Sequence, residues 1–147
     1  MTAPTFTRDL LDGMASYLAS AVGAWTYHAN GIYVPGDTAI IIATMPDKPD
    51  RVVTLGPYTV SDAPSLSDSV QGIQLRYRAG PDPRDVADMT DAGFNALQGL
   101  QRQQWGAVTI VDCYRQSGAP MGADQAGRWE HADNYYLTVH RPSAHRA

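Results

Sequence analysis

Four groups of side chains in this sequence have the residue types to do chemistry. The densest is the run RWEHADNYYLTVHR, residues 128–141, which holds two histidines, a glutamate, an aspartate and three large aromatics. Such a set could bind a metal or move protons. Read as a strand, however, alternate residues face opposite sides. Trp129, His131, Asp133, Tyr135, Leu137 and Val139 then share one face, and Glu130, Ala132, Asn134, Tyr136, Thr138 and His140 the other. The histidines are divided between faces, so this segment alone cannot chelate one ion. A structural zinc site wants about four ligands at paired close spacing, which the run lacks. Its β-branched and aromatic residues from Tyr135 to Val139 predict a strand, stopped by Pro142, with Tyr135, Leu137 and Val139 turned to the core.

Cys113 is the only cysteine, so no disulfide can form within the chain. It could be a nucleophile with a distant histidine base, but it sits in AVTIVDCYRQ among strand formers, with no local motif. A strand residue is the plainer reading. Asp82, Asp85, Asp88 and Asp91 step by three residues and could suggest a cation site. Three-residue steps drift around a helix, and N-terminal capping plus dipole compensation account for the first members. His28 and His145 are isolated. No phosphate-cradling loop, dinucleotide fingerprint or G-x-S-x-G elbow is present. The residues give no catalytic, metal-binding or cofactor-binding site. The fourth group is Gln74, Arg76 and Arg78, which share one strand face and form a candidate subunit interface, since arginine is enriched in interfaces.

The elements that must position these groups follow from the pattern. Phe6, Leu10, Met14, Leu18 and Val22 recur at helical spacing, with Thr5 or Thr7 as cap and Gly23 as stop. Residues 25–37 read as an irregular extended lead-in with a turn at Asn30-Gly31. TAIIIATM is a strand, with Ile40, Ile41 and Ile42 consecutive as if covered on both faces. RVVTLGPYTV returns, which predicts a hairpin around residues 46–50. Residues 61–69 are Ser/Pro-rich and predict a flexible loop. VQGIQLRYRAG is a strand, and Asp82-Pro83 opens a second helix with the stripe Val86, Met89, Gly93, Leu97, Leu100. AVTIVDCYRQ, a Gly/Ala-rich connection and the 128–141 strand complete the chain, with a short mobile tail at 142–147. The reading is one α+β domain over 1–147, a largely antiparallel sheet with two helices packed on it, in the order α-β-β-β-β-α-β-β.

Composition narrows the functions. The chain has 147 residues, 44% of them hydrophobic, enough for one buried core. Its formal net charge is −4 and it has no Lys/Arg run, which argues against sequence-specific nucleic-acid binding. No apolar run approaches the roughly 20 residues that span a bilayer, and no signal-peptide pattern is visible.

The segment VQGIQLRYRAGPDPRDVADMTDAGFNALQGL, together with RDLLDGMASYLA and DNYYLTVHRPSAHR, resembles the tail terminator proteins of long-tailed bacteriophages, also labelled minor capsid or tail completion proteins. The resemblance spans nearly the whole chain and is structural rather than catalytic. It implies a small α+β subunit, a hexameric ring at the head-proximal end of the tail tube, and an end to tube growth. The implied partners are further copies of the chain, the tail tube protein and the head-tail connector or stopper. DNA would pass through the lumen without being read. The implied location is the virion, after assembly in the host cytoplasm. Three other readings stand beside it. One is another neck or tail component, such as a connector stopper, an adaptor or a tube subunit. Another is a small cytoplasmic enzyme using Cys113 or the histidines. The third is a structural accessory protein that forms no ring.

Overall fold

The computed structural model describes residues 4–146. Helix α1 (Phe6–Ala21) buries the stripe Leu10, Leu11, Met14, Ala15 and Leu18. Thr5 is its N-cap residue, but the hydroxyl donates to Asp9 Oδ2 at 3.1 Å rather than accepting from the helix. Helix α2 (Pro83–Leu97) starts as predicted: Asp82 accepts from the Arg84 backbone N–H, with proline at the first turn. Its buried residues are Val86, Met89, Thr90, Gly93 and Leu97.

The strands are β1 (Trp25–Tyr27), β2 (Thr38–Ile42), β3 (Arg51–Asp62), β4 (Asp68–Arg78), β5 (Gln101–Trp105), β6 (Val108–Ala123) and β7 (Trp129–His140). They form one sheet in the order β1-β2-β3-β4-β7-β6-β5. The pairs from β3 onward are antiparallel, as the α+β reading requires. α1 touches β1–β3 near one edge and β5–β6 near the other, so the sheet curls around it. Close approach is needed there: a Cβ on Gly13 would lie 2.2 Å from the Trp105 Cβ. Gly93 plays the same part in α2, where a Cβ would meet the Tyr77 hydroxyl at 2.1 Å. One core cluster joins both helices to the helix-facing side of the sheet, including Ile40, Leu55, Leu75, Tyr77, Leu137 and Val139.

Three local expectations are corrected. β2 and β3 do not form a hairpin around 46–50; they pair in parallel, Thr38 against Arg51 through Ile42 against Leu55. The connection runs back along β2 and is held by two arginines. Arg78 donates to the carbonyls of Asp47, Pro49 and Asp50 at 2.7–3.2 Å. Arg128 pairs with Asp47 and Asp50, each at 3.1 Å. These contacts satisfy backbone groups that a parallel return leaves without ladder partners. Next, the Gly/Ala-rich stretch after Gln116 is not a loose connection: β6 runs through it to Ala123, paired with β7. Last, an extra short strand, β5, precedes β6 and pairs with it from Gln101 to Trp105. The Ser/Pro-rich segment spans the turn between β3 and β4, with strand pairing extending to Asp62 against Ser69. Arg146 lies across that turn, donating to the Asp68 carbonyl at 3.1 Å and Ser69 Oγ at 2.9 Å.

Candidate subunit interface

The side chains singled out in the sequence fall on two faces of β4, β6 and β7. On the helix-facing side Tyr135, Leu137 and Val139 are fully buried, as their shared parity predicts. His131 and Asp133 lie on this side too. Asp133 is wholly buried; its Oδ1 lies 2.8 Å from His131 Nε2 and its Oδ2 lies 3.5 Å from Arg115 Nη1. The Arg115 guanidinium sits over the Phe94 ring, 4.5 Å from its centroid. Gly118 stands opposite Asp133, and a Cβ there would come within 2.1 Å of its Oδ1.

This corner resembles a Ser-His-Asp set, because Ser117, His131 and Asp133 line one depression of about 220 Å³. The geometry separates them. Ser117 pairs in register with Asn134 and accepts a hydrogen bond from its Nδ2 at 3.1 Å. Its hydroxyl thus works on the opposite face of the sheet from the His131–Asp133 pair. His140 is on that opposite face as well, with Nδ1 3.1 Å from Asp68 Oδ1. Cys113 is 1% exposed, and burial, with Asp112 nearby, pushes its thiol pKa up to about 12. A thiol held protonated at neutral pH is a poor nucleophile. Among the described residues, no three His, Cys, Asp or Glu side chains are placed to share a metal ion.

Among the described residues, the other face carries no helix. Across it runs one register row, Tyr58–Gly72–Tyr136–Tyr114, spanning β3, β4, β7 and β6. Tyr58 and Tyr114 both meet Tyr136 edge-on, with centroids 6.5 and 5.9 Å away. Gly72 makes the row possible: a Cβ there would lie 2.4 Å from the Tyr58 ring. Tyr58 also donates to Asn134 Oδ1 at 3.0 Å. Sequence parity placed Tyr136 on this face. It could not show that three tyrosines from three strands would align, since that depends on the register of strands far apart in the chain.

Gln74, Arg76 and Arg78 do share this face, as expected, but they are not equivalent. Gln74 is exposed. Arg76 is half-exposed and its Nη2 and Nε lie 2.6 and 2.8 Å from Glu130 Oε1. Arg78 is 3% exposed and spends its donors on the 47–50 carbonyls. Burial, and then the neighbouring Arg128, lower its pKa from the usual guanidinium value. The three side chains are therefore not one exposed stripe: Arg76 is ion-paired and Arg78 is buried. A buried cation keeps its charge in a fold only when it is bonded, and the loop carbonyls meet that need. Sequence alone could not reveal this, because Asp47, Pro49 and Asp50 reach Arg78 only through the parallel crossover.

A curled, mostly antiparallel sheet with helices on one side leaves a polar, tyrosine-rich open side of the kind that suits packing against other proteins. Residues 28–141 match the family model described as bacteriophage tail terminator protein, and the chain belongs to that family. It is a structural family of the phage tail, which puts the chain among virion proteins and points to a structural role. A solved structure described as the virion of a native gene transfer agent particle contains a chain of the same fold. The TM-score is 0.67 at 17% identity, over 94% of this chain and 99% of that one. No curated protein matches the sequence. Among the described residues, no helix is long and apolar enough to cross a membrane.

Proposed function

We propose that this chain is the subunit of a ring, six copies around, that closes the head-proximal end of the tail tube. There it stops tube growth and offers its other side to the head-tail connector or stopper. The observation that carries the reading is the family match over residues 28–141, which takes in β2 through β7 and therefore nearly the whole sheet. The chain's own physics agrees. A ring needs two different surfaces per subunit that meet head to tail and close. DNA passing through such a ring is best left ungripped, and a chain with net charge −4 and no basic run offers little counterion release to hold phosphates.

Within this reading the whole chain acts as one tail-terminator domain. Gln74 and Arg76 serve as contact residues on the open face, and Arg78 shapes that surface from inside. Arg76→Glu tests this. It puts a second carboxylate beside Glu130, so assembly should weaken while circular dichroism stays that of the native fold. Unchanged assembly would remove Gln74 and Arg76 from the contact. The ring itself is tested by native mass measurement and electron microscopy of the purified protein, alone and mixed with tail tubes. Rings, or tubes with one capped end, are expected. A chain incorporated all along the tube would make it a tube subunit instead.

A further inference from the structure

The chain has three asparagines, Asn30, Asn95 and Asn134, and their settings differ. Asn95 lies in α2, where the next residue, Ala96, is helical too. Asn134 lies in β7. Its side chain accepts from the Tyr58 hydroxyl and donates to Ser117, and the next residue, Tyr135, is fully buried. Asn30 is exposed in the connection between β1 and β2, and the next residue is a glycine, also exposed. Gly31 sits at φ +75°, in the left-handed region that glycine enters without steric cost. Among the described residues, a Cβ placed on it would meet nothing within 4 Å. No side chain therefore shields the Gly31 backbone nitrogen from the Asn30 side chain beside it.

An asparagine followed by an open glycine has a reaction of its own. The Gly31 nitrogen gives its proton to solvent and attacks Asn30 Cγ. A succinimide ring forms, the Cγ–Nδ2 bond breaks and ammonia leaves. Water then adds to either ring carbonyl and a ring C–N bond breaks. The product is aspartate or isoaspartate, with a carboxylate where the amide stood. No electrons change hands, and water is the co-reactant. The structure holds a brake on the first step. The Gly31 N–H donates to the His28 carbonyl at 2.9 Å, so the proton that must leave is bonded. Asn30 Oδ1 accepts from the Ile32 N–H at 3.1 Å, which ties the side chain to the residue beyond Gly31. Tyr33 anchors this turn to the sheet. Its hydroxyl accepts from the His28 N–H at 2.9 Å and donates to the Ile40 carbonyl of β2.

We propose that Asn30 is a site of spontaneous deamidation, and that Tyr33 sets its rate through the His28–Gly31 turn. Aspartate at this position can still accept from Ile32, so that product keeps the turn. Isoaspartate adds a carbon to the main chain and breaks it. Either product adds one negative charge to the formal −4 of the chain. A virion protein is not renewed once its particle has left the host, so the change accumulates with particle age.

Purified protein incubated in warm, mildly alkaline buffer and mapped by peptide mass spectrometry tests it, with isoaspartate scored separately. The amide-to-acid mass change is expected at Asn30, with isoaspartate the larger product, while Asn95 and Asn134 keep their amides. The same chain unfolded in urea gives the rate without the brake, and the native rate should be several-fold lower. Tyr33→Phe, checked by circular dichroism for the native fold, should raise the native rate several-fold toward the unfolded one. An Asn30 that keeps its amide in the native chain while the unfolded chain loses it would overturn the site. So would Asn95 or Asn134 reacting first. Equal native and unfolded rates in the wild type would overturn the brake, as would a folded Tyr33→Phe chain that reacts no faster.

Discussion

The two faces of β7 obey different rules. On the helix side, Tyr135, Leu137 and Val139 have no exposure at all, and their neighbours are other core residues. On the open side, Ala132, Asn134, Tyr136 and Thr138 are half-buried, and their neighbours are a tyrosine row, one ion pair and a chain of amide and hydroxyl bonds. One strand thus gives its odd residues to stability and its even residues to surface. The helix side is fixed by volume and burial. The open side is fixed by partners that other strands bring, and it is the side that can vary without loss of the fold.

That contrast can be broken in order of severity. Leu137→Ala should be the most damaging single change, costing about 2–5 kcal/mol, because a fully buried leucine is lost and its cavity remains. Urea denaturation reads it directly; a cost near zero would mean that the helix side is not the core. Arg78→Met should come next, at about 1–3 kcal/mol, since it strands loop carbonyls that the arginine now satisfies. The same assay on Arg76→Gln should show about 1 kcal/mol, as the arginine itself is 40% exposed and glutamine can still donate to the largely covered Glu130 carboxylate. Equal costs for the two arginines would erase the distinction between a buried clasp and a surface pair.

One substitution made on both faces sharpens the point. Gly93→Ala drives a methyl into the Tyr77 hydroxyl, held in the core, and should cost about 1–3 kcal/mol. Gly72→Ala meets the Tyr58 ring, which can swing toward solvent, so it should cost less and mainly disturb the tyrosine row. A thermal melt of each variant gives the comparison, and a costlier Gly72→Ala would contradict it.

The smallest expected effect is electrostatic. Asp124 closes the β6–β7 turn by accepting from the backbone N–H groups of Arg128 and Ala126 and from the Arg128 side chain. The first of these bonds is the largest cause that lowers its pKa below the usual carboxylate value. A lowered folded-state pKa means that the stabilisation is present above the unfolded value of about 3.9 and is lost as pH falls through the folded one. Acid titration followed by hydrogen exchange should therefore show the 124–128 turn opening only below about pH 4. Opening at a higher pH would refute the cause assigned.

How much of this was legible in the sequence follows the same division. Helical spacing and strand parity report burial, so the buried stripes of α1 and α2 and the inward face of β7 could be read, although Leu100 falls beyond the end of α2 and the Thr5 hydroxyl does not cap α1. The parallel return of β3 could not, because a run of Pro and Asp looks the same whether it closes a hairpin or is clasped by Arg78 and Arg128. The bulges of β6 hid in a Gly/Ala-rich segment with little hydrophobic pattern. The open-face site was half legible: the parity of Gln74, Arg76 and Arg78 was right, but burial of Arg78 and alignment of Tyr58, Tyr114 and Tyr136 depend on register between distant segments.

If this family member closes the tube as a ring, as proposed, tail length depends on it. Phage in which the gene for this chain is disrupted, complemented with either the wild type or nothing, should be imaged and their tails measured. Tails of uncontrolled length, unattached to heads, are expected without the protein, and uniform attached tails with it. Tails of normal length joined to heads in its absence would contradict it.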